Sequence, residues 1–199
     1  MLSIVLIIGS YLLGSIMFSV IMGKLVAGID IRNHGSGNAG ATNTLRIIGK
    51  GPAIVVFLLD IAKGVLAVWL AKWFVPEQYG VAVLCGVAVI LGHNWPIFFN
   101  FRGGKGIATT VGMIVTLAFL PTLFAGIIAI LTILITRYVS LGSLLLTIFL
   151  PIFIYIMDRP MELFWGSLLI LVIAWVKHRK NIVKIIKGTE NKLGSRSSN

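Results

Sequence analysis

The sequence predicts an all-α, polytopic membrane protein. It reads as seven transmembrane helices, N-terminus outside and C-terminus inside, with short helices at the cytoplasmic face. Three observations carry this. First, 58% of the 199 residues are hydrophobic and 12% are charged, where a soluble domain has about 45–50% and about 25%. Second, the apolar residues fall in blocks long enough to cross a bilayer. Third, the basic residues collect in alternate loops, as the positive-inside rule requires.

The blocks run over 2–23, 53–75, 81–99, 107–136, 141–157 and 161–176. The first is read as a retained helix, because no basic region precedes it and no clear cleavage site follows. The fourth is too long for one crossing: its 30 residues would rise about 45 Å as a helix, against a hydrocarbon core of about 30 Å. Pro121 sits near its middle, and proline suits a first helical turn. A double crossing, 107–120 and 121–136, puts the loops at 24–52, 100–106 and 137–140 on the same side as the tail. That side then holds 14 of the 17 Lys and Arg residues. A single crossing would split them. The whole chain, 1–199, is read as one integral-membrane domain whose residues 177–199 form a basic amphipathic cytoplasmic tail.

Composition also excludes classes. The single cysteine, Cys85, forbids an intramolecular disulfide. No Cys/His cluster has metal spacing, so no metal is expected. Gly35, Gly37 and Gly40 spell G-x-G-x-x-G, but the βαβ context of a dinucleotide site is missing. "FRGGKGI" (101–107) lacks the Ser or Thr and the glycine spacing of a Walker loop. No nucleic acid partner is expected.

The physics of phosphate binding still applies to these loops. Glycines can turn successive N–H groups toward an anion, and a helix start adds its dipole. Gly35, Gly37 and Gly40 precede a stretch able to start a short helix. Ser36, Asn38, Thr42 and Asn43 add polar donors, and Arg46 adds a bidentate cation. In the second loop Gly103, Gly104 and Gly106 flank Lys105, a point charge with little steric cover. Lys24 and Lys50 read as topology-setting residues. Asp60 and Lys63, at i,i+3 within a span, read as an ion pair, with Lys63 also a candidate for substrate contact. Ser143, beyond Arg137, is a further donor. In the tail, His178, Asn181, Ile182 and Ile185 share one arc and Lys177, Lys180, Lys184 and Lys187 the other, the pattern of an amphipathic helix on the membrane surface.

Four segments, "GSGNAGATN" (35–43), "LGHNWPIFFNFRGGKGIAT" (91–109), "RYVSLGS" (137–143) and "HRKNIVKIIKGTE" (178–190), together resemble the signatures of the bacterial acyl-phosphate:glycerol-3-phosphate acyltransferases of the PlsY type. The resemblance covers nearly the whole chain in order and spacing. It implies transfer of a fatty acyl group from acyl phosphate to the 1-hydroxyl of sn-glycerol 3-phosphate, at the cytoplasmic face of the bacterial inner membrane. Lysophosphatidic acid and phosphate are the products, in the first acylation of phospholipid biosynthesis. It implies no cofactor, and neither CoA nor acyl carrier protein as donor. In agreement, the H-x-x-x-x-D motif of CoA- and carrier-dependent acyltransferases is absent: Ala39, Phe98 and Val183 stand five residues after His34, His93 and His178.

Under this reading Ser36, Arg46, Lys105, His93 and His178 are the catalytic candidates. Gly35, Gly37, Asn38, Gly40, Thr42, Asn43, Gly103, Gly104, Gly106, Ser143, Asn181, Lys63 and Glu190 are the substrate-binding candidates. The partners are the two substrates and the lipid bilayer, and the protein is read as a monomer. Direct attack by the glycerol hydroxyl is preferred over an acyl-Ser36 intermediate, and the base is His93, His178 or the leaving phosphate. A transporter for phosphate-containing solutes is the competing class, but no internal repeat supports it. A lipid phosphotransferase would want a carboxylate-held metal, for which six scattered acidic residues are a poor source.

Overall fold

The computed structural model describes residues 1–194. Among them the regular structure is helical: α1 (Leu2–Gly14), α2 (Phe18–Ala27), α3 (Ala41–Ile47), α4 (Lys50–Phe74), α5 (Tyr79–Asn94), α6 (Ile107–Leu117), α7 (Phe119–Thr136), α8 (Val139–Ile156) and α9 (Met161–Ile186), with short 3₁₀ turns at Ile31–Asn33 and Ile97–Phe99. Six stretches are long and apolar enough to cross a membrane: Leu2–Ala27, Lys50–Phe74, Tyr79–Phe99, Phe119–Thr136, Val139–Ile156 and Met161–Ile186. The 11 residues of α6 rise only about 16 Å, roughly half a hydrocarbon core.

Three boundaries differ from the sequence reading. The first block is not one helix: it breaks at 15–17 and resumes as α2. The long fourth block does divide, but at Ala118 (φ −152°, ψ 84°), with Pro121 as the third residue of α7. Proline is tolerated there because none of the first four N–H groups of a helix has an intrahelical acceptor. The tail does not begin as a separate surface helix. It continues α9, because nothing between 176 and 186 breaks a helix; the chain turns at Gly188 (φ 68°). The predicted faces hold except at Lys177, which is half-buried: His178 is buried and Asn181, Ile182 and Ile185 are half-buried, while Lys180, Lys184 and Lys187 are exposed. Residues 195–199 of the expected tail lie outside the described residues.

The chain divides into two compact units, Met1–Met113 and a second from Ile114 onward. In the first, glycines bring helix backbones together. A Cβ at Gly14 would meet the Val89 carbonyl, one at Gly92 the Tyr11 carbonyl, one at Gly64 the Thr109 carbonyl and one at Gly112 the Ile61 carbonyl. Small residues allow such approaches between membrane helices, where dispersion and polar contacts drive packing. Below the loops, Met17, Val20, Ile31 and Ala39 form a buried cluster backed by Ile47, Ile48 and Phe99. This cluster seats the connection from α2 to α3 and the turn after α5 on one apolar floor. In the second unit α8 packs against both α7 and α9. The segment after Gly188 folds back: Leu193 N–H donates to the Arg137 carbonyl (2.7 Å) and Arg137 Nη2 to the Leu193 carbonyl (2.9 Å).

Candidate active site

The first glycine loop is organised by Asn43. Its buried amide donates from Nδ2 to the carbonyls of Ile31 and His34 (3.0 Å each) and accepts at Oδ1 from the Ser36 N–H (2.9 Å). Gly37 N–H donates to the His34 carbonyl and Gly40 N–H to the Asn38 carbonyl, both at 3.1 Å. The N–H groups of Ser36, Gly37 and Gly40 thus have partners inside the loop. Asn43 is likewise a scaffold, its amide fully engaged with the main chain. The glycines at 35 and 37 are needed for left-handed backbone, φ 59° and 69°. The groups facing outward are side chains: Ser36 and Thr42 are exposed, and Asn38 and Arg46 half-buried. Thr42 and Arg46 lie one turn apart on the same face of α3. Among the described residues, the Arg46 side chain makes no hydrogen bond or ion pair.

The second loop is pressed against the end of α5. Gly104 N–H donates to the His93 carbonyl at 3.0 Å. A Cβ on Gly104 would collide with His93 Nε2 and stand 2.7 Å from the Ala39 carbonyl. A Cβ on Gly103 would strike the His93 carbonyl, and Gly106 turns at φ 80° beside Asn94. Gly103, Gly104 and Gly106 are thus close-approach and turn glycines, and the Gly104 N–H is already engaged. What the approach achieves is placement: the loop bearing half-buried Lys105 lies against both His93 and the first glycine loop.

A clasp from the α2–α3 connection, outside the membrane spans, to Phe99 at the end of the Tyr79–Phe99 stretch joins the same two loops. Arg32 forks onto the Asp30 carboxylate (Nη2–Oδ2 2.7 Å, Nε–Oδ1 3.0 Å), donates from Nη1 to the Phe99 carbonyl (2.9 Å) and lies over the Phe99 ring. The guanidinium hydrogen bonds hold the Asp30 carboxyl down at about 2, and the carboxylate in turn raises Arg32 above its usual value. Sequence reasoning passed over this pair. Nothing in the spacing of Asp30 and Arg32 points to a carbonyl 67 residues away.

Lys63 is buried and committed. It donates to the carbonyls of Gly14 and Ile16 (3.1 Å each) and contacts His93 Nδ1 at 2.8 Å, with Asp60 Oδ1 at 2.9 Å as counterion. An ammonium has three protons, so none is left for a substrate. The expected ion pair is present, and the expected substrate contact is replaced by contact with His93.

In the second unit, the segments around 137–143 and 178–190 meet. Glu190 Oε1 accepts from Ser140 Oγ (2.9 Å) and Asn181 Nδ2 (2.7 Å). Glu190, a substrate-binding candidate in the sequence, thus ties the tail to α8 through one carboxylate oxygen. Ser143 Oγ donates to the Val139 carbonyl at 2.9 Å, which commits the one proton it was expected to offer. His178 is buried, with Nδ1 2.8 Å from the Ala174 carbonyl. A carbonyl only accepts, so Nδ1 carries the proton and Nε2 is the basic nitrogen.

Fold and site define an integral membrane protein in which a lysine-bearing loop packs, at Gly104, against the Ala39 carbonyl of the loop that leads to an arginine-bearing helix, the makings of a phosphate-handling enzyme. A profile of the glycerol-3-phosphate acyltransferase family matches residues 4–188. The chain belongs to that family. The glycerol-3-phosphate acyltransferase of Shouchella clausii is 54% identical over 191 residues, 94% of this chain and 93% of that protein. That of Halalkalibacterium halodurans is 49% identical over 194 residues, 95% and 94% of the two chains. The crystal structure of PlsY (YgiH), an integral membrane glycerol 3-phosphate acyltransferase, in its glycerol 3-phosphate form matches with a TM-score of 0.92 at 37% identity, covering 96% of each chain. Its lysophosphatidic acid form matches with a TM-score of 0.89 at 36% identity, over 96% and 95%.

Proposed function

We propose that the protein transfers a fatty acyl group from acyl phosphate to the 1-hydroxyl of sn-glycerol 3-phosphate. The products are lysophosphatidic acid and inorganic phosphate, and the step opens phospholipid biosynthesis. The observation that carries this reading is Gly104 packed between His93 and Ala39, which sets the Lys105 loop against the loop leading to Ser36, Thr42 and Arg46. Two phosphorylated substrates must meet, and their repulsion is relieved only by fixed cations and donors in a preorganised site.

The chemistry is a direct displacement. The glycerol C1 oxygen attacks the acyl carbonyl carbon, the bond from that carbon to the phosphate oxygen breaks, and phosphate departs with its electron pair. The donor is a mixed anhydride, already activated, so positioning supplies most of the acceleration. The hydroxyl proton goes to a base. Of the three candidate acceptors, His93 has its Nδ1 engaged with Lys63, which leaves His178, with the tautomer a base requires, and the leaving phosphate. Acyl phosphate is the donor, with no need of CoA or acyl carrier protein, and the enzyme works as a monomer. The segregation of 14 of 17 basic residues supports seven spans, α6 being the short one, with an outside N-terminus and the site at the cytoplasmic face of the inner membrane.

The test is reconstitution. Detergent-purified protein given acyl phosphate and glycerol 3-phosphate should release lysophosphatidic acid and phosphate in equal amounts, and none with acyl-CoA or acyl carrier protein. Product only from a thioester donor would overturn the donor assignment, and no product from any donor the function. Ser3→Cys and Ser197→Cys in a Cys85→Ala background should label from opposite sides. Labelling from one side would refute seven spans.

A further inference from the structure

The break in the first membrane helix leaves carbonyls that need partners. Gly14 ends α1 and Phe18 starts α2, so the Gly14 and Ile16 carbonyls face the interior of the unit without a continuous helix to serve them. An unsatisfied carbonyl at that depth is costly. Lys63 serves both, and Asp60, one turn earlier on α4, balances its charge. A simple helix-break clamp would stop there. This one does not, because the ammonium also reaches His93 Nδ1 at 2.8 Å.

That contact has a direction. Asp60 Oδ1 is an ion-pair partner at 2.9 Å but accepts no hydrogen bond, so with two protons on carbonyls the ammonium gives its third to the imidazole: Nδ1 accepts and the ring proton sits on Nε2. Asp60 Oδ1 lies farther from the same nitrogen, at 3.4 Å. Nε2 in turn packs against Gly104, alongside the Ala39 carbonyl, while the His93 carbonyl accepts from Gly104 N–H. Residue 104 is therefore bonded to the main chain of His93 and packed against its ring, one residue before Lys105.

We propose that Asp60, Lys63 and His93 form a positioning relay: Lys63 fixes His93 as the Nε2–H tautomer, and His93 so fixed holds the Lys105 loop against the first glycine loop, coupling the helix break to the substrate site. All three residues act through others. Lys63→Met would remove the donor to Nδ1. The ring proton would then move to Nδ1, toward the Asp60 carboxylate, and Nε2 would lose its N–H. The consequence for the reaction rests on the acyltransferase reading above; the tautomer does not.

The experiment uses side-chain ¹⁵N resonances of the three histidines in the full-length protein. Wild-type His93 should show a neutral imidazole protonated at Nε2, and Lys63→Met should show the proton at Nδ1 with the His178 signals unmoved. In the acyl-transfer assay kcat of Lys63→Met should fall about 10²-fold, the effect expected of roughly 1 Å of misplacement. His93→Gln, whose Nε2 can replace the ring donor, should keep far more activity than His93→Phe. Wild-type His93 protonated at Nδ1 overturns the relay without any variant. So does an unchanged tautomer in Lys63→Met, or equal activity of the Gln and Phe variants. If Lys63→Met does not fold, the wild-type spectrum and the His93 pair still decide. A wild-type protein that makes no lysophosphatidic acid would sink the function and leave the tautomer result standing.

Discussion

Replacing Gly104 with alanine tests whether the packing of the two loops creates the site. The new Cβ would stand 2.7 Å from the Ala39 carbonyl, where ordinary contact begins at 3.4 Å, and would overlap His93 Nε2. Neither neighbour yields easily. The Ala39 carbonyl is main chain on a residue with no exposure, and His93 is held by Lys63. The loop itself must retreat, by about 0.7 Å on the carbonyl side and by more on the ring side. A displacement near 1 Å can cost about 10² in rate, which is about 2.7 kcal/mol of transition-state stabilisation. The assay is lysophosphatidic acid formation by detergent-purified protein, with the melting temperature taken on the same sample. Gly126→Ala is the control, since nothing lies within 4 Å of its Cβ. Activity of Gly104→Ala within about threefold of Gly126→Ala would show that the loop position is not what limits the reaction.

Lys105→Ala should lower kcat/KM by about 10²–10³ while the protein stays inserted and folded, and Arg46→Lys should rescue little if Arg46 grips phosphate by its fork; steady-state kinetics reads both. Gly37→Ala should lower the melting temperature and leave the kinetics nearly intact, since its N–H is bonded within the loop and its φ of 69° strains an L-residue by about 1–2 kcal/mol. Asp30→Asn should lower the melting temperature at pH 7. Because the folded carboxyl is depressed to about 2 from an ordinary 3.8, the stability it contributes is complete above the ordinary value and fades as pH falls toward about 2. The gap between variant and wild type should therefore be constant from pH 7 to 5 and narrow only in strong acid. Glu190→Gln should be close to wild type, because an amide oxygen can still accept from Ser140 and Asn181, whereas Glu190→Ala should destabilise the tail; equal kinetic loss in both would mark Glu190 as a substrate ligand.

The division of information between sequence and tertiary structure follows the range of the forces involved. Hydropathy acts on segments: a bilayer accepts about 20 apolar residues at a time, so the helical class and the apolar blocks were legible in the sequence. The motifs at 35–43, 91–109, 137–143 and 178–190 likewise announced the family. The roles within them were not legible. Asn43 reads as a donor in sequence, yet its amide is closed on Ile31, His34 and Ser36. Gly104 reads as a phosphate glycine, yet it is needed because His93 and Ala39 leave no room for a Cβ. Asp60 and Lys63 announced themselves by i,i+3 spacing, but that Lys63 would also bind the broken end of α1 and the ring of His93 depends on contacts 30 to 49 residues away in sequence. A hydrogen bond is set by fractions of an ångström and by the partners already taken. Those are properties of packed neighbours, and only the folded chain decides them.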